Sequence, residues 1–183
     1  ERFLKDNPND TPLRAAYARL LVEHGELNAA YDQFRLLLKY KPEDGDTLFA
    51  LGILALQLDR RDAAKDYFRR LFDVGAHRDD AAYYLGQVLE AEGRKREALG
   101  WYEKVSGENL SDARVRVAHI YVGLGEVRRA REILQQLRTQ AGKDTTQIDL
   151  IESELLGEIK QYDSAMRVLD EALVRNPGDH DLL

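Results

Sequence analysis

Four histidines, His24, His77, His119 and His180, are the first residues to test for chemistry. A zinc hydrolase would need two of them one helical turn apart around a glutamate, and no two stand in a His-Glu-x-x-His frame. The serines at 106, 111, 153 and 164 carry no Gly-x-Ser-x-Gly turn and keep no fixed spacing to a histidine and an aspartate. No Gly-rich phosphate loop is present. The chain has no cysteine, which removes disulfides, thiolate nucleophiles, thiolate metal sites and redox pairs. Carboxylate pairs such as Asp79-Asp80 and Glu152/Glu154 could in principle do acid/base work, but on helices such pairs are usually caps and solvated faces. The sequence therefore predicts no catalytic residue, no metal ligand, no cofactor and no enzyme.

Charge is more informative in its placement than in its total. Arg60-Arg61, Arg94-Lys95-Arg96 and Arg128-Arg129 recur at regular intervals, and acid gathers between them at Glu43-Asp44-Asp46, Asp79-Asp80, Asp112, Asp144 and Asp179. Bases favour helix C-termini and acids N-termini, which accounts for much of this; a regular basic row would also steer an acidic partner. The net charge of −6 and pI near 5.3 argue against a nucleic-acid binder that works by bulk charge. With 44% hydrophobic and 33% charged residues the chain falls among folded proteins rather than disordered ones. Its longest apolar run reaches only from Leu48 to Leu56, against the roughly 20 residues of a membrane-spanning helix, so no membrane insertion of this segment is expected.

The elements that carry these residues follow from an internal repeat. Ala30, Ala64, Ala98, Ala130 and Ala165 are spaced 34, 34, 32 and 35 residues apart. Five residues before each alanine stands a bend position: Gly25, Asp59, Gly93, Gly125 and Lys160. Upstream lie small residues, Ala18, Gly52, Gly86, Ala118 and Ser153, each after Tyr17, Leu51, Leu85, Val117 or Glu152. Downstream, Phe34, Phe68, Tyr102, Leu134 and Leu169, then Leu37, Leu71, Val105, Leu137 and Ala172, complete an i, i+4, i+7 stripe that marks one buried helix face. Nothing alternates as a half-buried strand would. The pattern predicts an all-α chain of helix pairs at 11–24 with 27–40, 45–58 with 61–74, 79–92 with 95–105, 111–124 with 127–140, and 145–159 with 162–175.

The large-small pairs Leu51-Gly52 and Leu85-Gly86, the bend glycine, the alanine, the aromatic and the closing prolines Pro42 and Pro177 resemble the tetratricopeptide repeat (TPR) family. Arg14 and Glu152 depart from it, standing where that family usually has apolar side chains. The resemblance implies a right-handed TPR superhelix, an α-solenoid of about five helix-turn-helix repeats. These would form one segment over 1–183, with repeats at about 11–44, 45–78, 79–110, 111–145 and 146–179 and partial repeats at both ends. It further implies a non-enzymatic scaffold or adaptor whose first helices line a peptide-binding groove. The groove positions are Arg19, then Phe49, Ile53 and Leu56, then Tyr83, Gln87 and Glu90, then Val115, His119 and Val122, with Arg19, Phe49, Ile53, Tyr83, Gln87 and His119 as the contact set. Neither Lys nor Asn occurs among them, which disfavours the terminal-carboxylate clamp of some TPR co-chaperones. The alternative is a helical-repeat RNA reader, for which the groove would have to be basic. The runs Leu13 to Leu27 and Ile151 to Leu156 are similar to multi-repeat TPR proteins of the Gram-negative envelope. That similarity implies a periplasmic location, with outer-membrane association through an upstream anchor, the cytoplasm being the alternative. Phe3, Leu4, Leu182 and Leu183 leave apolar side chains near both ends, so weak end-to-end association of a piece of a longer array is expected.

Overall fold

The structure, a computed structural model, describes residues 10–141, 145–175 and 177. Pro8, Gly142, Asp144, Asp179, His180, the apolar residues near both termini and the partial end repeats therefore lie outside the described residues. The described residues form ten α-helices and no strand. They pair as α1 (Thr11–Glu23) with α2 (Leu27–Tyr40), α3 (Gly45–Gln57) with α4 (Arg61–Val74), and α5 (Arg78–Ala91) with α6 (Lys95–Tyr102). Then follow α7 (Leu110–Gly123) with α8 (Val127–Ala141), and α9 (Thr146–Glu158) with α10 (Tyr162–Arg175). The chain divides into two compact units at Val105/Ser106, the first holding α1 to α6 and the second α7 to α10.

Local chemistry sets the helix ends. Asp10 caps α1 by accepting the Leu13 N–H at 2.9 Å, and Asp44 caps α3 by accepting the Thr47 N–H at 3.0 Å. All five bend residues adopt positive φ, from Asp59 at 53° to Gly125 at 78°. The N–H after each bend returns to the helix it leaves, as in Glu26 to Leu21 at 2.8 Å and Gln161 to Leu156 at 2.9 Å. The bend N–H itself bonds three residues back, as in Gly25 to Val22 at 3.0 Å. This paired closure ends a helix and turns the chain into the next. Glycine accepts the left-handed conformation without strain, whereas Asp59 and Lys160 hold it with a side chain in place.

In the first unit, Ala18, Ala30, Ala64 and Ala98 are fully buried where helices cross. Gly52 sits beneath Phe68 and Gly86 beneath Tyr102, so the absent side chains are what let the aromatic rings lie against the helix backbone. Helix α6 stops at Tyr102 instead of reaching 105. The spacing falls to 32 residues here, and Lys104 and Val105 donate three residues back, to Trp101 and Tyr102 at 3.0 and 3.1 Å, which closes the chain into a turn. Val105 nonetheless stays buried.

The second unit buries Ala118, Ala130, Leu134, Leu137 and Leu155 in its own core. Its last pair differs from expectation: Val168 and Ala172 are the buried residues of α10, while Ala165 and Leu169 are only half-buried. Glu152 is buried as well, and with Asp149 it forms a charged core under α8 and α10. Arg138 Nη2 lies 2.7 Å from Asp149 Oδ1 and 2.5 Å from Glu152 Oε2, Arg131 reaches Glu152 Oε1 at 2.7 Å, and Arg175 reaches Asp149 Oδ2 at 3.0 Å. The Thr145 hydroxyl donates to Asp149 Oδ2 at 2.9 Å. A polar side chain thus stands at a packing position because three guanidinium groups and a hydroxyl meet the two carboxylates there.

Candidate interaction cleft

A cleft of about 630 Å³ opens between α1 and α3, with α2 beneath it. Its floor comes from the buried stripe of α2, Phe34 and Leu37, joined by Leu54 of α3. The small side chains of Ala15 and Ala50 leave that floor uncovered, and Ile53 and Phe49 form the wall on α3. Phe49 is fixed in place: its ring stacks on His77 at 5.3 Å between centroids and leans on Tyr84 at 6.0 Å. His77 is in turn held by Asp46, with Nε2 3.0 Å from Oδ1, and by Asp80, with Nδ1 3.6 Å from Oδ2. The rim is polar, with Arg19, Glu23 and Gln57 toward one end and Lys41, Asp44 and Asp46 toward the end where α1 and α3 begin. Rigid apolar walls under a polar rim form a surface that binds apolar side chains and orients them.

Of the residues expected in a groove, Arg19, Phe49 and Ile53 line this cleft together. Tyr83 and Gln87 are half-buried on α5 and do not line it; the Tyr83 ring lies 5.7 Å from Tyr84 and 6.1 Å from Tyr102. Glu90 accepts the Tyr102 hydroxyl at 2.7 Å, a support to the aromatic packing of α5 and α6. Leu56 packs against the first core. His119, half-buried on α7, and Val115 and Val122 belong to the second unit, where Val122 is core and Val115 packs against it. Sequence reasoning did not find Phe34 and Leu37, because their buried stripe reads as core. The signal that could have found them is the pair Ala15 and Ala50, whose small side chains expose the layer below.

Four of the bases at the bends, Arg60, Arg61, Arg94 and Arg129, are engaged within the protein. Arg60 donates to Asn28 at 2.7 Å and lies 4.5 Å over the Tyr31 ring, and Arg61 pairs with Asp59 at 3.0 Å. Arg94 bridges Glu92 at 3.2 Å and Glu97 at 2.6 Å, and Arg129 pairs with Glu126 at 2.5 Å while lying 5.6 Å over Tyr121. Lys65 joins Asp62 at 2.9 Å to Glu92 at 2.5 Å. The Lys65 hydrogen bond holds the Glu92 carboxyl below its ordinary pKa, with Arg94 adding to the effect. Among the described residues no group of three or more His, Asp or Glu side chains is placed to hold a metal, and no helix is long and apolar enough to cross a membrane.

Successive helix pairs, with an apolar cleft between first helices in the first unit, define a helical-repeat fold. Residues 49–109 match the family model of the tetratricopeptide repeat, and the pairs flanking them are helix pairs of the same kind. The fold agrees with solved TPR structures. YrrB, a TPR protein with an unusual peptide-binding site, superposes with a TM-score of 0.71 at 21% identity, covering 99% of this chain and 93% of its own. MamA from Desulfovibrio magneticus RS-1 gives 0.74 at 14% identity over 94% and 98% of the two chains. PilF of Pseudomonas aeruginosa gives 0.65 at 16% identity over 87% and 73%. No curated protein sequence matches the chain. The TPR fold is that of protein–protein interaction scaffolds, which are generally not enzymes.

Proposed function

We propose that this protein is a non-enzymatic adaptor that takes a peptide segment of a partner protein into the cleft between α1 and α3. The observation that carries this reading is the apolar cleft between two helices, floored by the largely buried Phe34, Leu37 and Leu54, with Ile53 and the braced Phe49 as ready anchors. A wall that is already rigid loses little freedom on binding, so the contact energy is kept. The peptide-binding site of the similarly folded YrrB supports the same class of ligand. A protein partner is favoured over RNA because Arg60, Arg61, Arg94 and Arg129 at the bends are committed to internal partners, and because the cleft is not basic, holding Glu23, Asp44 and Asp46 against Arg19 and Lys41. We further propose a periplasmic location, from the envelope-like runs Leu13 to Leu27 and Ile151 to Leu156, to be checked by fractionating cells that express the native protein. Weak self-association through open helix faces completes the proposal.

Panning a random peptide library displayed on phage against the purified protein tests the cleft. Enriched peptides should lose at least about tenfold in affinity on Ile53→Glu, which puts a charge on the apolar wall, and about fivefold on Phe49→Ala. Both variants should keep their helical circular dichroism. Peptides that bind Ile53→Glu as well as the parent protein would show that the cleft is not the site.

A further inference from the structure

We infer that the segment received by the cleft is basic at one end: an apolar anchor over Leu37 and Ile53, flanked by Lys or Arg on the side where α3 begins. This rests on the peptide-cleft reading and adds the chemistry of the partner. That end of the cleft carries more acid than the protein itself uses. Asp44 spends one oxygen, Oδ2, on the Thr47 N–H and hydroxyl. Asp46 spends Oδ1 on His77, its side chain stays 80% exposed, and Oδ2 has no partner among the described residues. Glu43, exposed beside them, has none either.

The nearby cations do not cancel this. Lys41 offsets one of the three carboxylates, and Arg70 is turned to the Pro42 carbonyl at 2.9 Å, where it braces the loop. His77 meets only Oδ1 of Asp46 with one nitrogen and faces Asp80 with the other. Arg19 stands about two turns along α1, roughly 12 Å up the axis, beyond the ~8 Å over which exposed charges act at physiological salt. At the opposite edge of the first unit, by contrast, Arg61 and Arg94 are paired with neighbouring acids. With Arg19 and Glu23 offsetting each other at the far end, the unspent charge of this unit's cleft is negative and lies where α3 begins, so it fixes the direction of a bound segment as well as its composition.

The test uses the peptides enriched on the parent protein and lost on Ile53→Glu. Those peptides should carry Lys or Arg to one side of a Phe, Leu or Trp. Replacing that basic residue by Gln should weaken binding to the parent about fivefold at roughly 50 mM salt, shrinking below about twofold at roughly 500 mM. On the Glu43→Gln/Asp46→Asn protein, which keeps the Asp44 cap, the same replacement should change affinity by less than about twofold. Peptides that depend on Ile53 yet are neutral or acidic, or that lose equally on both proteins, would overturn the inference and leave the cleft standing. If no enriched peptide depends on Ile53, the cleft reading fails and this inference with it. The Gln peptides measured on the parent decide the matter even if the double variant folds poorly.

Discussion

The ring of Phe68 crosses Gly52 so closely that a Cβ on the glycine would fall 2.5 Å from Cε1, and Tyr102 stands the same way over Gly86. Both rings are buried and have no free direction in which to retreat. Gly52→Ala and Gly86→Ala should each cost about 1–3 kcal/mol by overpacking, read as a lower urea midpoint. A methyl group on Gly100, in the last turn of α6, would meet nothing within 4 Å, so Gly100→Ala should instead stabilise by up to about 0.5–1 kcal/mol. A loss at Gly100 equal to that at Gly86 would contradict this assignment of the two positions.

The charged core of the second unit makes an opposite kind of demand. Asp149 is fully buried, Glu152 is 2% exposed, and Arg138 touches both. Arg138→Leu leaves two buried carboxylates short of their shared cation and should cost about 3–5 kcal/mol. Arg131 is 54% exposed on its side chain and meets only Glu152, so Arg131→Ala should cost no more than about 1 kcal/mol. Hydrogen exchange of the α9 amides in the two variants separates these outcomes.

Periodicity makes the helix pairs legible because spacing alone decides which side chains share a face. The buried alanine of the first four pairs and the bend five residues before all five recur in the folded chain, even where Asp59 and Lys160 replace glycine at positive φ. What the sequence does not convey is pairing at a distance. Glu152 reads as an interruption of the apolar pattern because its partners Arg131 and Arg138 lie on another helix, and Asp149 gives no signal for the same reason. The cleft is half legible. Arg19, Phe49 and Ile53 follow from the groove register, whereas Phe34 and Leu37 join them only through the packing of α2 beneath α1 and α3. Tyr83 shares the groove register but turns to Tyr84 and Tyr102, a choice that only neighbouring rings determine.

Tyr67 supplies a pH dependence. Burial, helped by the hydrogen bond to the Tyr31 hydroxyl at 3.2 Å, raises its pKa from 10.0 to about 12. The unfolded chain gives up this proton at lower pH than the folded one, so the contribution is intact below pH 10.0 and is lost as pH rises toward about 12. Stability measured across that window should fall more steeply for the parent protein than for Tyr67→Phe. Parallel slopes would mean that Tyr67 ionises in the folded protein as it does in the unfolded chain.

The proposed self-association follows from one register position. Leu54, Val88, Ile120 and Leu155 occupy equivalent places on the first helices of successive pairs and are at most 3% exposed, whereas their counterpart Leu20 on α1 is 52% exposed. On the second helices, Tyr31, Lys65 and Leu99 are at most 9% exposed and Arg131 is half-exposed but turned to Glu152, whereas their counterpart Met166 on α10 is 61% exposed beside Tyr162 at 62%. Each face thus displays half of the seam that joins one pair to the next inside the array, and the α10 face of one copy fits the α1 face of another by the packing already used between α2 and α3. Burying a leucine and a methionine is worth only a few kcal/mol against the freedom lost on association, so the contact should be weak, appearing at roughly hundreds of micromolar. Light scattering over a concentration series should show a rising mass that Leu20→Glu or Met166→Glu abolishes without loss of helix content. A mass that stays monomeric throughout, or a rise unaffected by either substitution, would rule out this seam.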